Sequence, residues 1–172
     1  MRAAGVLLAL MGALALQTTL AGLSVGGGVM VNLVLVAVVY AALALGPVTG
    51  LLTGSAGGLA QDALAGGVIG ISGFSMTLVG FMVGVLGAQF IVSQPFPRLV
   101  MFVGATIVHE LCFHALYALS DVRAFRFDYA SVLTVAVLNG LIGIVAFQIA
   151  EAGPGLLQRR RARGATLKSR RY

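Results

Sequence analysis

The sequence predicts an all-α integral membrane protein built from six transmembrane helices. Its 172 residues are 59% hydrophobic and only 9% charged, whereas roughly a quarter of the residues are charged in a typical soluble domain. Apolar segments of membrane-spanning length recur along the chain, and glycine or proline clusters separate them. Backbone N–H and C=O groups cannot stay unpaired in lipid, so each apolar segment is expected to be helical.

The six predicted spans differ in length. In chain order they are Ala3–Leu23, Val29–Leu45, Val48–Leu64, Ile71–Val92, Leu99–Leu119 and Ala130–Ala150. About 20 residues cross a hydrocarbon core of about 30 Å, and about 17 residues are the lower limit. The second and third segments lie at that limit, so a re-entrant hairpin of these two is the alternative. The first segment is followed by five more, which favours a retained helix over a cleaved signal peptide.

The basic residues predict the orientation of these spans. With both termini in the cytoplasm, the inner side holds Arg2, Arg98 and seven basic residues after Gln158, while the outer side holds only Arg123 and Arg126. This asymmetry follows the positive-inside rule and predicts a multi-pass membrane protein with both termini in the cytoplasm.

The C-terminal end is expected to form a separate basic tail. Gly153-Pro154-Gly155 is a pattern that ends helices. We therefore predict a transmembrane domain over residues 1–155 and a cytoplasmic tail over 156–172, lying at the anionic inner leaflet. Because the basic residues concentrate in this tail, no nucleic-acid partner is predicted.

Glycines recur at four-residue spacing in the third and fourth segments. They are Gly46, Gly50, Gly54 and Gly58, followed by Gly80 and Gly84. Residues four apart form a slanting ridge on a helix, and small residues let helices approach closely in lipid. We predict that these glycines pack helices within the chain, and docking of a partner's transmembrane helix is the alternative.

Three polar residues are candidates for contact with a partner or a cavity. Gln61 and Asp62 lie in the last turn of the third segment, and Asn32 lies near the start of the second. An ionisable residue in a membrane segment is by default a functional hypothesis. Capping of the glycine turn that follows is an equally weighted interpretation of Asp62.

Glu110 and His114 form a second candidate, an intramembrane polar pair. They are four residues apart and share one helix face. The neighbouring His109 does not complete a zinc-protease motif with His114, because that motif needs histidines at i and i+4. No metal site, cofactor or catalytic residue is predicted. A packed polar pair is favoured, and a proton relay in a proton-coupled carrier is the lowest-ranked alternative.

The sequence resembles the bacterial rod shape-determining MreD family. The resemblance lies in Val31–Tyr40 with the following Gly46-Pro47-Val48-Thr49-Gly50, and in the segment Gly57–Gly66 around Gln61-Asp62. It continues through Gly70-Ile71 and Thr77–Phe81. It covers the size, the six-span layout and about a third of the chain in recognisable motif.

This resemblance implies a non-enzymatic component of the cell-elongation (rod) complex that lies in the inner (cytoplasmic) membrane and binds MreC. Through MreC it would be linked to RodA, a penicillin-binding transpeptidase and MreB filaments, and so to cell shape and lateral peptidoglycan synthesis. The family is also similar in fold to the S-components of energy-coupling-factor transporters, which implies a six-helix bundle with an outward-facing cavity. A vitamin-binding S-component is accordingly the alternative function.

Overall fold

The computed structural model contains six α-helices and no strand in the residues that it describes. The described residues are 2–23, 31–66, 68–90, 94–120 and 129–168, with side chains for 4–20, 31–66, 68–90, 94–120 and 130–150. The helices are α1 (Arg2–Leu23), α2 (Leu33–Leu45), α3 (Pro47–Ala65), α4 (Ile71–Gln89), α5 (Pro95–Leu119) and α6 (Tyr129–Lys168). The predicted all-α membrane fold class is confirmed, and its likeness to S-components stays a prediction.

Three of these helices are long and apolar enough to cross a membrane within the described residues. They are α4, α5 and the Ala130–Ala150 part of α6. The other helices depart from that pattern in different ways. The apolar stretches of α1 (Ala4–Leu20) and α2 are shorter, and α3 has 19 residues that include several glycines and the Gln61-Asp62 pair.

The short helix α2 is the centre of the bundle. It packs against all five other helices, and its buried residues include Val34, Val38, Val39 and Ala42. A helix that is apolar on all sides belongs in a core rather than at a surface. The predicted second span started at Val29, which lies outside the described residues, but the helix itself begins at Leu33 because Asn32 caps it.

Two other predicted helix ends are wrong. α5 begins at Pro95, four residues before the expected Leu99, because proline is tolerated in the first turn, where its missing N–H is not needed. α6 continues through Pro154 to Lys168, although the Gly153–Gly155 pattern was expected to end it. The residues beyond this pattern are largely Leu, Arg, Ala and Gln, which favour helix.

Helices α3 and α4 form the closest pair in the bundle, with their backbones in direct contact. A side-chain methyl on Gly50, Gly54 or Gly58 would overlap backbone atoms of Gly80, Met76 or Ser72, respectively. Position 54 therefore faces position 76, and positions 50 and 58 face 80 and 72, as expected for antiparallel helices in one register. Gly84 meets the backbone of Pro47 in the same way.

Gly46 lies at the end of this contact, where its backbone carbonyl carbon is close to Gly84, but its own Cβ position does not face α4. A Cβ atom placed there would meet nothing within 4 Å. Gly46 joins α2 to α3 with φ 95° and ψ −179°, a backbone conformation that residues other than glycine rarely adopt. Its N–H donates to the Ala42 carbonyl and closes α2, while Pro47 starts α3.

Candidate functional site

Asp62 caps the helix that follows it. The carboxylate oxygen Oδ2 accepts hydrogen bonds from the backbone N–H groups of Gly70 (2.8 Å), Ser72 (3.0 Å) and Gly73 (3.2 Å). These amides lie at the start of α4, where the helix dipole favours a negative charge. Asp62 is only 5% exposed. Its carboxylate is thus used mainly to hold the α3–α4 turn together.

Gln61 lies next to Asp62 but has a different environment. Its side chain is half-buried, and its Oε1 atom is buried without a hydrogen-bond partner among the described residues. An acceptor in this state costs free energy, typically about 1–3 kcal/mol. The structure therefore does not join Gln61 to the hydrogen bonds of its neighbour.

Asn32 caps α2 deep inside the bundle. Its Oδ1 atom accepts from the Leu35 N–H at 3.0 Å, and its own backbone N–H donates to Asn139 Oδ1 at 3.1 Å. The next amide, that of Val34, donates to Gln17 Oε1 of α1 at 3.1 Å. Side chains from α1, α2 and α6 thus satisfy the N-terminal amides of α2, which no water reaches in lipid.

His109 connects α2 to α4, and the contacts define its tautomer. Because Asn32 Oδ1 is already an acceptor, Asn32 Nδ2 is the donor toward His109 Nε2, 3.4 Å away. His109 is therefore neutral with its proton on Nδ1, and it donates to Ser75 Oγ at 2.9 Å. The Ser75 hydroxyl in turn donates to the carbonyl of Ser72, 3.2 Å away.

A second arm of the same network joins α6 to α5. Asn139 Nδ2 donates to Thr106 Oγ1 at 3.3 Å, and the Thr106 hydroxyl donates to the Phe102 carbonyl at 2.9 Å. Together with the first arm, these bonds form what we call the polar network. Its members are Asn32, Asp62, Ser72, Ser75, Thr106, His109 and Asn139, and all of them are buried.

The sequence interpretation missed the roles of Ser75, Thr106 and His109 in the polar network. Each lies within an otherwise apolar segment, and an isolated polar residue there is a signal for an interhelical hydrogen bond. The sequence cannot pair such residues, because the pairing depends on helix register. Asn139 of α6 bridges α2 and α5 through its two hydrogen bonds.

The Glu110–His114 pair lies apart from the polar network. His114 Nδ1 lies 3.5 Å from Glu110 Oε2, and both side chains are partly exposed. The same nitrogen is 2.6 Å from the backbone oxygen of Glu110. A backbone oxygen only accepts, so His114 Nδ1 carries a proton and donates it there.

Arg98 lies near the N-terminal end of α5, away from Glu110 and His114. It was expected in a connection on the inner side, but it lies in the first turns of α5 and is 9% exposed. Its guanidinium carbon lies 3.9 Å from the ring centroid of Phe147 in α6. Tyr40 of α2 meets the same Phe147 ring edge-on. This cation–π and aromatic cluster joins three helices.

The other basic residues used to predict the orientation cannot be placed in the same way. Outside the described residues lie Arg123 and Arg126, which were expected on the outer side, and the side chains of the basic tail.

Comparison with known protein families gives a match over most of the chain. The family model described as rod shape-determining protein MreD matches residues 3–151 of the chain. No curated protein matches the chain, and no solved structure matches it. Within the described residues, no three His, Cys, Asp or Glu side chains converge as a metal site would require.

Proposed function

The chain belongs to the rod shape-determining MreD family, and from that premise we propose that it is a non-enzymatic component of the cell-elongation complex. It has a role in rod shape determination as a member of that family. The finer proposal is that it binds MreC in the inner membrane and thereby helps to regulate lateral peptidoglycan synthesis. Links to RodA, a penicillin-binding transpeptidase and MreB would then be indirect.

The observation that carries this proposal is the extent of the family match, which covers residues 3–151 and thus nearly all of α1, the whole of α2 to α5 and the first part of α6. The state of the buried ionisable groups also supports a structural role. Asp62 is hydrogen-bonded to backbone amides, and His109 is hydrogen-bonded on both ring nitrogens. A nucleophile or general base would need a free acceptor directed toward a substrate.

Depletion and recovery experiments test the proposal directly. Loss of the protein from a rod-shaped host is expected to give round cells, and the full chain is expected to copurify with MreC from solubilised membranes. The variant Gly12→Ala is a matched control, because a methyl at Gly12 of α1 would meet nothing within 4 Å. It is expected to restore rod shape as well as the natural chain does.

The result that contradicts the proposal is normal cell shape after depletion together with tight binding of a vitamin. That outcome would favour an S-component instead. The proposed orientation has its own test, a reporter that is active only in the cytoplasm, fused at the C-terminus. We expect this reporter to be active. A fusion that is stable but inactive would show that the C-terminus lies outside the cytoplasm.

A further inference from the structure

Glu110 is placed differently from Asp62, the other acidic residue whose side chain is described within the helices. The described side chains within the helices include five that are acidic, basic or histidine, and three of these are buried: Asp62, Arg98 and His109. The other two are Glu110 and His114, whose side chains are 19% and 29% exposed. Ionisable residues in membrane-spanning helices almost always face the bundle interior or a water-filled cavity, and they pair with one another or with backbone carbonyls.

The Glu110 carboxylate is also poorly hydrogen-bonded. Its nearest described donor is His114 Nδ1 at 3.5 Å, which is too long for a good hydrogen bond. That same N–H already donates to the backbone oxygen of Glu110 at 2.6 Å. A carboxylate has about four acceptor positions, so in the described part of the chain Glu110 retains most of its acceptor capacity.

The depth of Glu110 makes this state costly. α5 has 25 residues and is therefore about 37 Å long, which exceeds the hydrocarbon core of about 30 Å. Glu110 lies three residues from the middle of the helix, a rise of about 4.5 Å. Acyl chains offer no hydrogen-bond donor at that depth, so a carboxylate there is costly unless another protein group hydrogen-bonds to it.

We propose that the α5 surface around Glu110 and His114 docks a transmembrane helix of a partner protein that carries a hydrogen-bond donor at the depth of Glu110. The donor is a lysine, arginine, serine, threonine or asparagine side chain, and the Glu110 carboxylate accepts from it. This inference rests on the proposed function, since the partner is the membrane protein through which the chain acts.

A second copy of this chain fits the surface less well. Two-fold symmetric contacts place the same patch of both molecules together, so one interface would contain two Glu110 carboxylates. A carboxylate near another carboxylate is destabilised, whereas a donor-bearing helix supplies the missing hydrogen bond. The charge of the site thus favours a different protein.

Photocrosslinking in native membranes tests the surface. A photoreactive amino acid replaces Leu111, which is 49% exposed and is a helix-surface neighbour of His114 at i, i+3. A second probe replaces Leu141 of α6, which is 52% exposed, as a control on another lipid-facing surface. We expect the position 111 probe, and not the position 141 probe, to crosslink a transmembrane peptide that contains a donor residue.

Substitution of the carboxylate then shows whether it holds the partner. Glu110→Leu is expected to reduce the crosslink from position 111 at least tenfold, while the protein keeps or raises its melting temperature because an under-bonded acid has been removed. Glu110→Gln, which keeps an acceptor oxygen, is expected to reduce it less. Gln148→Leu, at an exposed polar residue of α6, is the matched control and is expected to leave the crosslink unchanged.

Three outcomes would overturn the inference. They are crosslinks from position 111 to lipid alone, crosslinks to a second copy or to residues 121–128 of this chain, and an unchanged crosslink in Glu110→Leu. Failure of the proposed function looks different, because the donor-bearing peptide would then be identified but would not belong to MreC. If Glu110→Leu lowers expression, the crosslink from position 111 in the otherwise natural chain still decides where the partner binds.

Discussion

The contact between α3 and α4 predicts that Gly54→Ala separates two helices that now touch through their backbones. A methyl at position 54 would overlap the carbonyl group of Met76 and the backbone nitrogen of Thr77. Backbone atoms cannot rotate away as the end of a flexible side chain can. The helices must therefore move apart, and the neighbouring glycine contacts at positions 50 and 58 would loosen with them.

The magnitude follows from two opposing effects. Alanine in a helix interior is favoured over glycine by about 1 kcal/mol, and an extra methyl in a well-packed core costs about 1–3 kcal/mol. At Gly54 the obstacle is backbone, so the upper end applies and a net loss of about 2 kcal/mol is expected. At Gly12, where nothing lies within 4 Å, only the gain of about 1 kcal/mol remains.

The two variants are compared by thermal unfolding in the same detergent. A difference of about 3 kcal/mol between them corresponds to roughly 6–12 °C in melting temperature for a domain of this size, with Gly12→Ala the higher. The pair Gly50→Ala and Gly80→Ala adds a test, because both methyls would meet the same contact. Once one has separated the helices, the second should cost less. A Gly54→Ala protein as stable as Gly12→Ala would refute the packing argument.

Three further substitutions test other parts of the fold by the same measurement. Asp62→Ala leaves three amides at the start of α4 without their acceptor and is expected to cost about 2–3 kcal/mol; Asp62→Asn keeps an acceptor oxygen and should cost less, and equal losses would contradict the capping role. His109→Phe leaves Asn32 and Ser75 without a shared partner, so a loss of about 2 kcal/mol is expected, while His109→Gln should recover part of it. Gly46→Ala meets no atom but must adopt φ 95°, so it should cost about 1–3 kcal/mol, and an unchanged melting temperature would argue against strain at this joint.

The sequence predicts the helices better than it predicts their ends. The apolar segments locate all six helices, because backbone groups in lipid must be hydrogen-bonded within a helix, although only three of the described helices are both long and apolar enough to cross a membrane. The ends depend on local competition instead. Pro154 was expected to end the sixth helix but lies within the long α6, and Pro95 is accommodated in the first turn of α5. α2 begins after Asn32 rather than before it, because asparagine is favoured at the N-cap position, where its side chain accepts a hydrogen bond from the first turn.

For the glycines and the polar residues, the sequence likewise predicts which residues share a helix face but not which residues they contact. Four-residue spacing predicts a ridge of small residues, and Gly50, Gly54 and Gly58 do lie on one face of α3. The spacing cannot distinguish Gly46, which continues the repeat but lies at a turn with positive φ. Which helix receives the ridge, and in which register, depends on the whole bundle. For the same reason the pairing of His109 with Asn32 and Ser75 could not be predicted.

The structure also changes where a partner contact is to be sought. Asn32 and Asp62 carried that expectation, yet their polar atoms cap α2 and α4, so we expect substitutions there to act through the fold. His109, next to Asn32, lies ten residues before the end of α5, which places the start of α2 about 15 Å inside that end of the bundle. A partner in the bilayer meets the outside of the helices instead. Of the two acidic side chains described within the helices, Glu110 has more acceptor capacity left than Asp62. We expect substitution of Glu110 to weaken association without loss of stability, and this result would distinguish it from Asp62.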